Sequence, residues 1–392
     1  MLTEGPARSG QQCRVPAALM RGGTSKGLFF LGGTLPEDPQ QRDRFLLRAL
    51  GGADPYGKQV DGLGGATSST SKAVVVSRSR RPGFDVDYLF AQVGIDRPHV
   101  DWRGSCGNLA AAVGPFAIEE GLVPAAEGET VVRIWQVNTA REIVARVPTG
   151  DGLPLVEGNF RIDGVPHPGA EIRLDFVDPG GGVTGRLLPR GSTRERLRVE
   201  GLGEIEATLV DAGNPCVLVA AADVGLRGPE LPDEINADLA TLARLEAVRA
   251  AGAVAMGLAR TPEQATRERP AVPKIGVLAS PAGYATTAGT EVAATDIDLI
   301  VRMLSMGRVH HAVPVTGAMA VAVACALPGS LAARLRRPGE GPVRLGHPAG
   351  ATAMEAEVEP QGGSWRARRV TLGRTARRLM EGWVLVPWPP AG

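Results

Sequence analysis

The sequence predicts a mixed α and β chain of two similarly built domains, each with one apolar helix enclosed by short strands. Three observations predict it. The 392 residues amount to about two domains at roughly 150 residues apiece. Hydrophobic residues make up 43% of the chain, enough for large cores and too many for a disordered or fibrous protein. Two small-residue stretches, 107–121 and 309–327, are strongly apolar, and a helix without a polar face has to be buried.

In chain order, alternating and β-branched runs at 15–20, 27–31, 73–77, 86–93, 131–137 and 143–147 read as strands. Helices interrupt them at 40–50 and 107–121. The stretch Asp178-Pro179-Gly180-Gly181-Gly182 reads as a turn or linker, and 186–198 is charged and rich in breakers. The boundary is therefore placed there, giving an N-terminal domain over 1–185 and a C-terminal domain over 186–392 whose last strand can return to the first. The second half repeats the plan, with strand runs at 208–210 and 217–220, a long helical pattern over 231–256 and a strand at 274–279. The second apolar helix, 309–327, and strands at 342–346, 352–358, 367–371 and 383–386 complete it. No exact sequence repeat accompanies this parallel.

Charge and cysteine content exclude several classes. Lysines and arginines number 43 against 42 acidic residues, a net charge of +1, which supplies no electrostatic footprint for nucleic acid or an anionic membrane. The four cysteines, Cys13, Cys106, Cys216 and Cys325, form no CxxC or Cys/His cluster, so neither a metal site nor a disulfide scaffold is expected. No run of about 18 uncharged apolar residues occurs, and the opening MLTEGPARSGQQC lacks the apolar core of a signal segment. A cytoplasmic protein without membrane or nucleic-acid partners is expected.

Four small-residue segments are candidates for chemistry: Met20 to Gly27, Asp61 to Lys72, Gly104 to Asn108, and Ser305-Met306-Gly307. Glycine lets backbone N–H groups approach a ligand, hydroxyls add donors, and the last two segments are read as opening the buried helices, whose N-termini favour anions. Together they describe a cradle for carboxylates or phosphates. Nucleotide chemistry is disfavoured, because 65–72 lacks the second glycine and the hydroxyl after lysine of a phosphate loop. Cys106 at a helix N-terminus is placed where the dipole favours thiolate, although most lone cysteines are inert core residues. Lys72 opens an apolar strand; such a lysine ordinarily reaches solvent, but one pointing into a closed cleft becomes a base by desolvation. His310 and His311, read as beginning the second buried helix, are adjacent and so cannot chelate as an i, i+4 pair would.

The segments MRGGTSKG, DGLGGATSSTSK, DVDYLFAQV, SCGNLAAAVGPFAIEEGLV, DIDLIVRMLSMGRVHHA and MEGWVLVP resemble the 2-methylaconitate cis-trans isomerases of the PrpF family, in order, from about residue 15 to residue 386. The resemblance implies the diaminopimelate-epimerase-like α+β fold, with two similar domains, each a barrel-like sheet wrapped around a central helix. It makes Lys72 the catalytic base and Cys106 its partner. It assigns the substrate's carboxylates to Arg21, Thr24, Ser25, Lys26, Ser68, Ser69, Thr70, Gly107, Asn108, Ser305, Met306 and Gly307, and adds Asn214 from an asparagine-proline signature. Two-base racemases of the superfamily place a cysteine on each central helix, and this chain has Ser305-Met306-Gly307 where the second is expected, so a thiol/thiol racemase is disfavoured. The implied reaction is the cis-trans isomerisation of 2-methylaconitate by proton removal and return at C4, in the 2-methylcitrate route of propionate breakdown, with no cofactor and no metal. The alternatives are a 4-oxalomesaconate tautomerase, a methylitaconate Δ-isomerase, or a non-enzymatic accessory protein of an iron–sulfur methylcitrate dehydratase. Expected partners are a small di- or tricarboxylate substrate, with a homodimer and a functional link to an iron–sulfur dehydratase left open.

Overall fold

The computed structural model describes residues 7–9 and 11–387. The chain divides into two compact units, one running to Leu174 and resuming at Gly373, the other spanning Asp175–Leu372. The crossing thus falls at 174/175 and not at 185/186. The glycine-rich stretch after Asp178 is integral to the second unit: the Gly181 N–H donates to the Asp211 carbonyl (2.8 Å), the Gly213 N–H to the Pro179 carbonyl (2.9 Å), and Val183 and Thr184 donate their N–H groups to the Asp211 carboxylate (2.9 and 2.7 Å). A segment whose backbone is satisfied in this way belongs to a fold and is no linker.

In the first unit the strand Gln12–Gly22 lies antiparallel to both Ser25–Leu31 and Ala376–Pro387. Ser25–Leu31 pairs parallel with Lys72–Arg78, which pairs antiparallel with Val86–Val93. That strand pairs parallel with Gly128–Gln136, and Arg141–Gly150 closes the series antiparallel. Each parallel pair needs a crossover. The first carries the helix Pro39–Leu50, started by Asp38, whose carboxylate accepts the Gln41 N–H, and ended by Gly51 at φ 65°. The second carries the helix Gly107–Glu119, buried from Gly107 to Ile118. It packs against strands on every side, among them Gln12–Gly22, Arg141–Gly150 and Ala376–Pro387, because its alanines and glycines leave nothing polar to turn outward.

The second unit runs through the same succession. Gly203–Ala212 lies antiparallel to Asn214–Ala220, which pairs parallel with Lys274–Ala279; that strand is antiparallel to Leu299–Ser305, which is parallel to Val343–His347, itself antiparallel to Gly350–Gln361. Helices Leu239–Ala255 and Pro262–Glu268 occupy the first crossover and the buried helix Val315–Ala326 the second. Each unit therefore has one apolar helix held by its own sheet.

Two expectations need correction. The helical pattern over 231–256 is two helices, Pro232–Ala237 and Leu239–Ala255, parted at Asp238, whose carboxylate accepts the N–H groups of Ala240 and Thr241 and restarts the helix. The second buried helix begins at Val315, after Pro314, and not at 309. Met306 and Gly307 have φ of 56° and 74°, the signs that a two-residue hairpin turn demands, and this turn folds Arg308–Val309 back onto Leu299–Ser305. Among the described residues no helix is long and apolar enough to cross a membrane.

Candidate active site

Lys72 opens the strand Lys72–Arg78, and alternation along it turns Lys72, Val74 and Val76 inward. The antiparallel register sets Gln92, Phe90 and Tyr88 directly opposite these three. Lys72 is only 8% exposed. Its Nζ donates to Gln92 Oε1 at 2.5 Å and lies 5.2 Å from the Phe90 ring centroid. Burial pushes its pKa below the ordinary 10.5, with Cys106 acting in the opposite sense. The physical cause is lost hydration of the ammonium, which favours the neutral amine.

Cys106 is the N-cap of the central helix Gly107–Glu119; its Sγ accepts the Leu109 N–H at 3.5 Å. It is 8% exposed, and it acts electrostatically on Lys72, so amine and thiol share one buried locality. Tyr88 donates its hydroxyl to the Cys106 carbonyl at 3.0 Å, and burial raises the tyrosine pKa well above 10, keeping it a protonated donor. Asn108, one turn-position further, donates from Nδ2 to Thr24 Oγ1 (3.1 Å) and accepts the Thr24 N–H (3.4 Å). The chain passes so close here that a Cβ on Gly23 would come within 2.2 Å of Asn108 Oδ1, and Gly23 has φ of 51°; only glycine suits both demands. Arg21 sends Nη1 to the carbonyls of Gly23 (3.1 Å) and Thr375 (2.9 Å). Neighbouring Arg374 is buried, which lowers its pKa to about 10.

Lys26 and Ser69 are tied through the Lys26 N–H and the Ser69 carbonyl (3.0 Å). The turn before Lys72 is a hydroxyl cluster: Thr67 Oγ1 meets Ser69 Oγ (2.9 Å) and Thr70 Oγ1 (2.8 Å), and Ser71 Oγ donates to Gln59 Oε1 (2.7 Å). Thus Arg21, Thr24, Ser25, Lys26, Ser68, Ser69, Thr70, Lys72, Cys106, Gly107 and Asn108 all belong to the first unit, on the end of the strand Gln12–Gly22 and the turn after it, the starts of Ser25–Leu31 and Lys72–Arg78, the turn before Lys72 and one helix N-terminus.

Asn214, Ser305, Met306 and Gly307 belong to the second unit. Asn214 donates from Nδ2 to Thr316 Oγ1 at 2.8 Å, on the first turn of the second buried helix. Ser305 accepts from Lys274 Nζ at 3.0 Å. The reading of Ser305-Met306-Gly307 as an anion site at that helix's N-terminus is corrected, since these residues form a hairpin turn and Pro314, without a side-chain cap, holds the N-cap place. His310 and His311 likewise precede the helix, stacked with ring centroids 4.4 Å apart. Among the described residues no group of three or more His, Cys, Asp or Glu side chains could hold a metal ion.

Sequence reasoning missed Gln92, Tyr88, Gln59, Arg374 and Lys274. Gln92 and Tyr88 were legible in principle, because an antiparallel register between 72–78 and 86–93 puts them on the face of Lys72. Gln59 and Arg374 carry no local signal.

Two repeated sheet-and-helix units, the first carrying a buried amine and a thiol at a helix N-terminus, make an epimerase-like fold. At the level of fold the chain is similar to a hydroxyproline epimerase from Agrobacterium vitis, with 14% identity, TM-score 0.55 and coverage of 98% of this chain and 95% of that one. Residues 12–387 match the family described as PrpF protein, and the chain belongs to that family. It is 47% identical over 390 residues to a protein of Shewanella oneidensis named 2-methyl-aconitate isomerase, covering 96% of this chain and 98% of the relative. A Cupriavidus necator protein of the same name is 46% identical over 388 residues, with the same coverage. A solved methylitaconate Δ-isomerase superposes with TM-score 0.81 at 39% identity, covering 98% of both chains.

Proposed function

We propose that this protein interconverts the cis and trans isomers of 2-methylaconitate, with Lys72 as the base. The observation that carries the reading is the buried Lys72 amine, its pKa lowered by burial, beside Cys106 at the N-terminus of the central helix. The names of the two relatives at 47% and 46% identity support the substrate over the methylitaconate isomer, whose solved enzyme stands at 39%.

The neutral Lys72 amine takes a proton from the C4 methylene. The electron pair spreads over C2, C3 and C4, the C2–C3 bond loses double-bond character and rotates, and the Lys72 ammonium returns the proton to C4. One base serves both directions, because no stereocentre is inverted. The step consumes no redox equivalent and no second substrate, so side chains alone complete it. The developing negative charge is met by the helix N-terminus at Cys106, Gly107 and Asn108 and by the hydroxyls of Thr24, Ser25, Ser69 and Thr70. Donors set in place before the reaction, in a site shielded from water, supply the largest share of such stabilisation. Arg21 and Lys26 add positive charge for the carboxylates.

Proton NMR of the purified protein alone in D₂O, with 2-methylaconitate isomers, tests the function. Interconversion with deuterium entering the C4 methylene is expected. Activity confined to oxalomesaconate or methylitaconate would move the substrate, and silence on all three would overturn the enzymatic reading.

Cys106→Ser is expected to fold normally, since serine is a favoured N-cap, and to keep a measurable fraction of kcat well above that of Lys72→Ala. This follows if the thiol shapes and polarises the site while Lys72 moves the proton. A loss equal to that of Lys72→Ala in steady-state assays would make Cys106 a second proton carrier.

A further inference from the structure

We propose that Gln92 is a positioning residue for the Lys72 amine, its side-chain carbonyl aiming the amine's lone pair and its lack of charge leaving the amine free to be neutral. The proposal rests on the reading of Lys72 as the base.

The orientation of the Gln92 amide is dictated by its surroundings. Nε2 donates to two backbone carbonyls, Ser71 at 2.9 Å and Ser68 at 3.2 Å. Both of its N–H groups are therefore used, and Oε1 faces the other way, onto Lys72 Nζ at 2.5 Å. A flipped amide would set its oxygen against two carbonyl oxygens, losing both of those bonds. The strand register makes this meeting unavoidable, since Lys72 and Gln92 are cross-strand partners. On the far side the same turn is tied to Gln59, whose Oε1 accepts the Ser71 hydroxyl (2.7 Å) and the Ala66 N–H (2.8 Å). Gln92 thus couples a braced turn to the amine.

A lysine amine ends a flexible four-carbon stem and has three rotatable donors. With one N–H committed to Gln92, the lone pair of the neutral amine is directed away from that oxygen, so the direction of proton acceptance is set before substrate arrives. The titratable neighbours are few. Cys106 approaches from the helix N-terminus and acts on Lys72. On the strand Val86–Val93, Tyr88 is spent on the Cys106 carbonyl and Phe90 offers only its ring. On the parallel strand Ser25–Leu31, Gly27 packs against the Lys72 backbone, where a Cβ would meet its carbonyl oxygen at 2.7 Å, and the turn contributes hydroxyls. No carboxylate is among the groups acting on Lys72. A carboxylate at position 92 would pair with the ammonium and hold it protonated; a neutral carbonyl orients it without that cost.

Gln92→Glu and Gln92→Met in the full-length protein provide the test. Lys72 is titrated by trace labelling with fluorodinitrobenzene at a series of pH values, read by mass spectrometry without substrate, and kcat/KM for 2-methylaconitate is measured over the same series. In Gln92→Glu the labelling midpoint of Lys72 is expected to rise by about one unit or more, and the acid limb of kcat/KM to rise with it, giving roughly tenfold loss on that limb and recovery at high pH. In Gln92→Met the acceptor is gone, so the midpoint is expected to fall while kcat drops about tenfold with KM little changed. An unchanged Lys72 midpoint in either folded variant overturns the proposal, and Gln92→Met decides alone where Gln92→Glu does not fold. Turnover surviving in Lys72→Ala would instead remove the base assignment and leave the labelling result standing, so the two failures are distinguishable.

Discussion

Lys72→Ala is expected to reduce kcat by roughly 10³-fold or more, the scale on which positioned acid–base groups act, while the protein stays folded. Among the described residues the amine makes one hydrogen bond, to Gln92, and its burial penalises the charged form. Removing it deletes the base at the cost of that single tie. The wild-type kcat/KM is expected to rise with pH along a limb whose midpoint lies below the ordinary lysine value, because only the neutral amine accepts the proton. The isosteric Lys72→Met is expected to raise Tm at neutral pH, typically by the equivalent of about 1 kcal/mol for such changes. The sign follows from linkage. A lysine whose folded pKa is lowered binds fewer protons folded than unfolded, so the wild type gains stability as pH rises from the folded to the unfolded value and carries the full penalty below that window. Methionine carries none of it. Thermal melts of both proteins at neutral pH and above pH 10.5 check this; the advantage of Lys72→Met should shrink at the higher pH. Near-wild-type turnover in Lys72→Ala would remove the assignment.

Arg378→Met is expected to destabilise the first unit by about 3–5 kcal/mol, the cost of stripping the cation from a buried charge cluster. Arg378 lies on the last strand, Ala376–Pro387. Its guanidinium reaches Glu119 (2.7 Å), Glu120 (2.8 Å) and Glu381 (2.5 Å), and the Glu120 side chain is 1% exposed. Glu119 and Glu120 end the central helix, where a cation also meets the negative end of the dipole. Without Arg378 the buried carboxylates would hold protons more tightly folded than unfolded. The folded state would then bind the extra protons, so the deficit should be largest at neutral pH and shrink as pH falls toward the ordinary glutamate range. Urea unfolding at two pH values reads both effects; a loss under 1 kcal/mol, or one independent of pH, would contradict it.

Much of the architecture was legible in the chain itself. The strand Val86–Val93 and the strand Lys274–Ala279 begin and end where their β-branched runs do, and the all-apolar stretch after Cys106 is a buried helix. Where the pattern misled, local and tertiary signals competed. The sequence pattern starts the second buried helix at 309, but positive φ at Met306 and Gly307 makes a hairpin first and Pro314 postpones the helix to Val315–Ala326. The gap at Asp238 was hidden because the apolar period carries across it while the carboxylate starts a new helix.

The site divides in the same way. Sequence alone determined which residues have the chemistry: a lysine opening an apolar strand, a cysteine before an apolar helix, and glycines where the backbone must come close. It determined the buried helices as well, since composition leaves such helices no other place. Only the tertiary structure decided that Lys72 is buried and deprotonates more readily, that Gln92 and not a carboxylate faces it, and that Arg374, 266 residues from Asn108 in sequence, lines the same glycine, with a Cβ on Gly23 meeting both. Desolvation and hydrogen-bond partnership depend on what the rest of the chain brings within a few ångströms, and no local run of residues carries that information.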